Sequence, residues 1–151
     1  MTKLRIPPPV QGLFWGLTMW GTAHFLPQFR FEFVAQKPIG FILIALGLSF
    51  DVISIAAFLR AKTTPNPIRI EKASTLVTTG LYRISRNPMY LGLALVLTGW
   101  AILLGNPVNI ISLVLFIWLM NILQIKPEEA ILSDKFGPKY FMYTQQVRRW
   151  V

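Results

Sequence analysis

Cysteine is absent from this chain of 151 residues, histidine occurs once, and only six residues are acidic. Without cysteine there are no disulfides, no thiolate metal sites and no thiol nucleophile, and the redox state of the compartment leaves no mark. Charged residues make up 14% of the chain, against about 25% in an ordinary soluble domain. That is too little polar surface to face water all round. There is no GxGxxG after a strand, no P-loop and no H-E-x-x-H, so a Rossmann cofactor site, a nucleotide loop and a zincin site are unsupported. The single histidine, His24, lies in an apolar run and reads as interfacial, so no Ser–His–Asp set is available. Repeats and low-complexity segments are also missing.

What is present is apolar: 54% of residues are hydrophobic. A membrane helix needs about 20 mostly apolar residues, and four stretches meet or approach this: Val10 to about Phe29, Pro38 to about Leu59, Pro88 to Leu104, and Pro107 to Ile125. Gly105, Asn106 and Pro107 separate the last two, so these predict a helical hairpin. Gly12 and Gly16 have the small-xxx-small spacing of close helix packing. The fold class expected is all-α: one polytopic membrane domain over residues 1–151, with four transmembrane helices and short cytoplasmic C-terminal helices. In the tail, Pro127 suits a helix start, Glu128 and Glu129 its first turn, and Gly137-Pro138 its end. No small-residue cleavage site follows the first apolar block, so a removable signal peptide is not expected.

The net charge is +9. Four spans put both termini and the 60–87 connection on one side. All fifteen basic residues except Arg30 and Lys37 fall on that side. The positive-inside rule makes it the cytoplasm, and the basic excess then needs no nucleic-acid partner. A bacterial inner membrane is the expected location.

Three groups of residues carry possible chemistry. Asn87 and Pro88 suit the N-cap and first residue of the third helix. Its N-terminus, with Arg83 and Arg86, would form an anion site, and Gly92 would admit a ligand close to the backbone. The same residues also describe a well-capped membrane helix. Glu128-Glu129 suit an ammonium group or ribose hydroxyls, or simply complement a helix dipole. Asp51 lies within the second apolar run, where an acid is costly and a functional candidate by default. It serves equally as a structural hydrogen-bonding group, or as the polar centre of a small transporter or assembly protein with no enzymatic role.

The ordered set Leu76-Val77-Thr78-Thr79-Gly80-Leu81-Tyr82-Arg83, Ser85-Arg86-Asn87-Pro88-Met89-Tyr90-Leu91-Gly92, Glu128-Glu129 with Leu132, Phe136-Gly137-Pro138-Lys139-Tyr140, Tyr143 and Arg148-Arg149-Trp150 resembles the integral membrane methyltransferases. That family includes isoprenylcysteine carboxyl methyltransferase and the phospholipid N-methyltransferases. The resemblance runs from residue 63 to 151. It departs at Asn87-Pro88, where the isoprenylcysteine enzymes typically have His-Pro.

What it implies is methyl transfer from S-adenosylmethionine, with S-adenosylhomocysteine as product, to a lipophilic or lipid-anchored acceptor, without a metal. Asn87, Pro88, Tyr90 and Gly92 would line the cofactor. Glu128 or Glu129 would bond its polar groups, and Tyr140, Tyr143 and Arg148 would enclose it. Arg83 and Arg86 would bind its carboxylate or the acceptor, and these two arginines with Glu129 are the catalytic candidates. The acceptor and the oligomeric state stay open.

Overall fold

A computed structural model describes residues 6–63 and 74–151. Lys3, Arg5, Pro65, Pro67, Arg69 and Lys72 lie outside them. Among the described residues all regular structure is helical: α1 (Pro8–Phe25), α2 (Gln36–Arg60), α3 (Pro88–Leu104), α4 (Asn109–Leu119), α5 (Lys126–Phe136) and α6 (Pro138–Gln146), with 3-10 turns at Pro27–Phe29 and Gly80–Arg83. Two helices are long and apolar enough to cross a membrane, α2 and the continuous 28-residue helix Asn109–Phe136. At 17 residues α3 is apolar but shorter. The tryptophans, glycines and polar residues of α1 keep it out of that class. Leu13, Leu17, Phe41, Val52, Ile110, Val114 and Trp118 are all exposed, an apolar surface far larger than a water-facing monomer normally leaves.

Pro127 falls in the first turn of α5, as the sequence suggests, but α5 is not a separate helix. The chain runs from α4 into α5 without a break through a π-helical segment, Met120–Ile125. Proline lacks an N–H, and inside an α-helix its ring collides with the carbonyl four residues back. Widening the preceding turns removes both conflicts, and π segments of this kind recur at functional sites. Gln124 and Glu128, one turn apart across the junction, are both buried.

The tightest helix contact is α2 on α3. A Cβ on Gly47 would collide with the Gly92 carbonyl oxygen, and one on Gly99 would lie 2.5 Å from the Gly40 carbonyl oxygen. The two glycine pairs run in opposite directions along the chain, so the helices are antiparallel. Where lipid removes the hydrophobic drive between helices, such small-residue seams let backbones approach closely. The expected Gly12 and Gly16 contact is looser: Gly12 meets only the Leu93 side chain, and Gly16 faces open space.

At the far end of the seam Gly105 adopts φ +63° and terminates α3. Gln36, buried at the start of α2, donates its Nε2 to the carbonyls of Ile102 and Leu103 at 2.8 and 3.3 Å. These contacts satisfy carbonyls that a helix end otherwise leaves unpaired.

Trp15 and Met19 of α1, Tyr90, Ala94 and Leu97 of α3, and Phe116, Met120 and Ile125 of the long helix form the main core. A second, smaller core joins Tyr140, Tyr143 and Val147 to Leu76, Leu132 and Phe136. It fixes α6 against α5.

Candidate functional site

The elements converge where α3 begins. Asn87 precedes the helix as the sequence suggests, but its side chain makes no capping bond. The side chain reaches instead to the tail, donating Nδ2 to the Arg149 carbonyl at 3.0 Å. Ser85, fully buried, accepts the Asn87 N–H at 3.1 Å and donates to the same Arg149 carbonyl at 3.3 Å. The Arg86 N–H donates to the Arg148 carbonyl at 3.0 Å, and the Trp150 indole N–H donates to Asn121 Oδ1 at 3.1 Å. The last residues of the chain therefore lie across the first turn of α3.

Beneath this strap is an acidic pair with divided contacts. Glu128 points inward: its Oε1 accepts the Tyr90 hydroxyl at 2.6 Å and Gln124 Nε2 at 2.7 Å. Glu129 sits at the rim between two guanidiniums. Arg149 holds it with both ends of its fork, Nε at 3.0 Å and Nη2 at 2.7 Å, and Arg86 Nη1 approaches to 3.1 Å. The Glu129 bond keeps the Arg149 guanidinium above its usual range, against the cost of desolvation. One atom of this group is left over: Arg86 Nε is buried without a partner.

Three buried tyrosines stand beside this group. The Tyr143 hydroxyl donates to the Tyr82 carbonyl at 2.6 Å. Burial pushes the Tyr143 phenol well up, with Tyr140 adding and the Arg86 charge opposing, so it stays a neutral donor. Tyr140 is raised too, by burial and then by Glu129, with Arg86 working against both. Burial raises Tyr82 far above the ordinary phenol range, and Tyr143, Glu128 and Asp51 add to the shift. The Ser54 hydroxyl opposes that shift, yet it is fully buried and makes no hydrogen bond of good geometry.

The structure thus brings together Arg86, Asn87, Tyr90, Glu128, Glu129, Tyr140 and Tyr143. Pro88 is fully buried below them. Gly92 faces α2, and a Cβ there would meet Gly47 O and Asp51 Oδ1, both at 2.7 Å. Arg83 and Arg148 have exposed side chains outside the group. Arg149, Gln124, Ser85 and Tyr82 join the site without having been singled out. Gln124 stands four residues before Glu128 on one helix face, a spacing at which side chains meet, and that signal was available. Nothing in Arg148-Arg149 tells which of the two turns inward. His24, as expected, stays apart, stacked on Trp20.

Among the described residues, two of the hollows on the bundle surface are largely apolar. One, of about 490 Å³, lies between α1, α2 and α3 and includes Leu17, Trp20, Ile44 and Trp100. The other, of about 670 Å³, lies at the end of α2 beside Thr79 and Gly80, with Arg60 on its wall. Among the described residues no group of histidine and acidic side chains is arranged to hold a metal ion.

Residues 35–139 match the phospholipid methyltransferase family. Protein-S-isoprenylcysteine O-methyltransferase B of Arabidopsis thaliana is 33% identical over 108 residues, which cover 72% of this chain and 55% of the plant protein. The protein-S-isoprenylcysteine O-methyltransferase of Schizosaccharomyces pombe is 37% identical over 76 residues, 50% of this chain and 32% of the yeast protein. An uncharacterized protein of Haemophilus influenzae is 44% identical over 63 residues, 42% of this chain and all of its own length. The chain therefore spans about half the length of the plant relative and a third of the yeast one. With more than half of its residues matched, the chain belongs to the phospholipid methyltransferase family.

Proposed function

We propose that this chain transfers a methyl group from S-adenosylmethionine to a lipid-like or membrane-soluble acceptor, with the methyl donor held at the cytoplasmic face between α3, α5 and the tail. In this reading α1 to α4 cross the bilayer and both termini lie in the cytoplasm. One observation supports it: the family's motif residues Arg86, Asn87, Tyr90, Glu128, Glu129, Tyr140 and Tyr143, scattered over nearly sixty positions, gather in one polar cluster at one end of the bundle. The residues fit the donor. Arg86 Nε is a buried donor without a partner, which suits a carboxylate. The Glu128 side chain, fixed by Tyr90 and Gln124, suits ribose hydroxyls or an ammonium. Tyr82, Tyr140 and Tyr143 give apolar faces for a base.

Bound there, S-adenosylmethionine would supply a sulfonium methyl group open to in-line attack. The protein's own part is positioning, which accounts for roughly 7–11 kcal/mol in favourable cases. Tyr90 and Gln124 hold Glu128 in one rotamer. Arg149, by engaging Glu129, keeps the tail over the site and limits access of water. The acceptor arrives from the bilayer side, past the apolar surfaces of α2 and α3, so that donor and acceptor meet from opposite directions.

Calorimetric titration of detergent-purified protein with S-adenosylhomocysteine tests this directly. Saturable binding that Tyr90→Phe weakens is expected; no heat of binding in either detergent or lipid discards the reading. Isotopically labelled methyl donor added to membranes carrying the protein then identifies the acceptor by mass.

A further inference from the structure

The hollow at the end of α2 stands apart from the polar cluster, because α2 turns different faces to the two. Gly40 and Gly47 pack on α3, a Cβ on Gly92 would meet Asp51, and Phe58 stands edge-on to the Tyr82 ring at 5.4 Å. At the three- and four-residue spacing of a helix these positions form one inner stripe. Ile53, Ala56 and Arg60 repeat at the same spacing on the opposite face, and they line the hollow with Thr79 and Gly80 of the connection that follows. Small side chains at Ala56 and Ala57 leave room there that larger ones would fill.

The chemistry of this recess is divided. Val52 and Ile53 give it an exposed aliphatic surface. Arg60 brings a guanidinium to its wall, and among the described residues that group forms no ion pair and no hydrogen bond. A cation in the last turn complements the helix dipole, but the closing carbonyls already have backbone donors. The Ala61 N–H donates to the Ala57 carbonyl, that of Lys62 to Leu59 and that of Thr63 to Phe58. The guanidinium is therefore not used in capping. Ile53 lies two turns, about 10 Å, back along α2 from Arg60.

A soluble anion would use the guanidinium and ignore the aliphatic surface. A hydrocarbon would use the surface and leave the arginine unpaired. An anionic phospholipid uses both, with its phosphate at headgroup level and its chains about one helical turn or two deeper. The bilayer placement proposed above, on which this rests, ends α2 in the cytoplasmic leaflet, where anionic lipids attract basic residues. We propose that this recess binds one anionic phospholipid, its phosphate against Arg60 and the Thr79 hydroxyl and one acyl chain along Val52 and Ile53. With α2 between it and the polar cluster, the lipid is held unmodified and is not a methyl acceptor. It braces α2 against the connection that carries Tyr82, whose carbonyl receives the Tyr143 hydroxyl.

The test is native mass spectrometry of the full chain released from nanodiscs holding phosphatidylglycerol and phosphatidylcholine in equal amounts, with the same acyl chains and no nucleoside. Phosphatidylglycerol adducts should exceed phosphatidylcholine adducts by roughly fivefold or more, the scale of one basic residue at an anionic surface. Arg60→Gln should bring the two lipids to parity, and Arg60→Lys should keep most of the excess. Ala56→Phe, which fills the recess and leaves the arginine in place, should act like Arg60→Gln. Lys62→Gln removes a neighbouring charge that does not line the recess and should keep the excess. Parity in the wild-type chain, or an excess that survives Arg60→Gln or Ala56→Phe, overturns the proposal. Equal loss in Lys62→Gln also overturns it, since diffuse attraction to a basic surface would then suffice. S-adenosylhomocysteine binding, read separately by calorimetry, should be the same in every variant; its absence throughout counts against methyl transfer and leaves the lipid result standing.

Discussion

Replacing Glu129 by glutamine should release the C-terminal strap without emptying the interior. Glu129, Arg86 and Arg149 have side chains 17%, 15% and 34% exposed, so the cluster is mostly buried. Breaking a buried ion pair by removing one member costs about 3–5 kcal/mol. Arg149 is partly solvated and glutamine keeps one acceptor oxygen, so about 2 kcal/mol is the reasonable figure here. That equals roughly a thirtyfold rise in the population with the strap detached. Trypsin reads this population, because cleavage after Arg148 or Arg149 requires the strap to leave Ser85, Asn87 and Asn121, and proteolysis tracks the open fraction when reclosing is fast. Loss of the terminal residues, followed by intact-mass spectrometry, should quicken by about that factor in Glu129→Gln. The neighbouring Glu128→Gln is the control. Glu128 bonds Tyr90 and Gln124 inside the bundle, so cleavage should stay near the wild-type rate. Equal rates for Glu129→Gln and wild type, or acceleration by both variants alike, would refute the division of labour between the two acids.

Other outcomes follow from the same contacts. Tyr90→Phe deletes a 2.6 Å bond to a carboxylate; bonds to charged groups are worth about 1.5–3 kcal/mol, so S-adenosylhomocysteine affinity should fall by roughly tenfold or more in calorimetry. Asn87→Ala removes one neutral bond to the strap, worth about 1 kcal/mol, and should quicken trypsin cleavage only about fivefold, well below the Glu129→Gln effect. Gly47→Ala drives a methyl group into the Gly92 carbonyl and against Val96, and the backbone atoms among these cannot move aside as a flexible side chain would. Overpacking of this kind costs about 1–3 kcal/mol and should lower the thermal midpoint in detergent. Gly16→Ala, which meets nothing within 4 Å, should leave the midpoint unchanged.

The third helix was legible to the residue, because Pro88 opens it and Gly105 closes it, and both act through local backbone geometry. The long helix was not. Pro127 reads as a start because its effect on the preceding turns depends on whether the chain can adopt a π segment, and that is decided by packing around Gln124 and Ile125. The glycine seam was half visible. Gly40, Gly47, Gly92 and Gly99 stand seven apart in each helix, yet the Gly12 and Gly16 pair shows the tighter spacing and turned out to be the looser contact. Spacing marks a face that permits close approach; the partner helix decides whether it occurs. In the polar cluster, residues whose chemistry is unusual for their position, such as Glu128, Glu129 and Tyr90, stand out in the sequence. Those distinguished only by direction, Arg149 against Arg148 and Asn87 as a tie and not a cap, do not.

The two sides of the site are held by different forces, and this orders what a substitution can change. On one side α2 and α3 meet backbone to backbone, so the position of Asp51 relative to Tyr90 is fixed by contacts that no polar substitution reaches. On the other side the strap is held by hydrogen bonds and by one shared carboxylate, all near the water. Such a roof opens at modest cost while the floor stays in place. On the proposed function, donor and acceptor geometry would survive an opening of the strap that admits the methyl donor. Polar variants at the rim should alter binding and release, while changes along the glycine seam should disturb every step together.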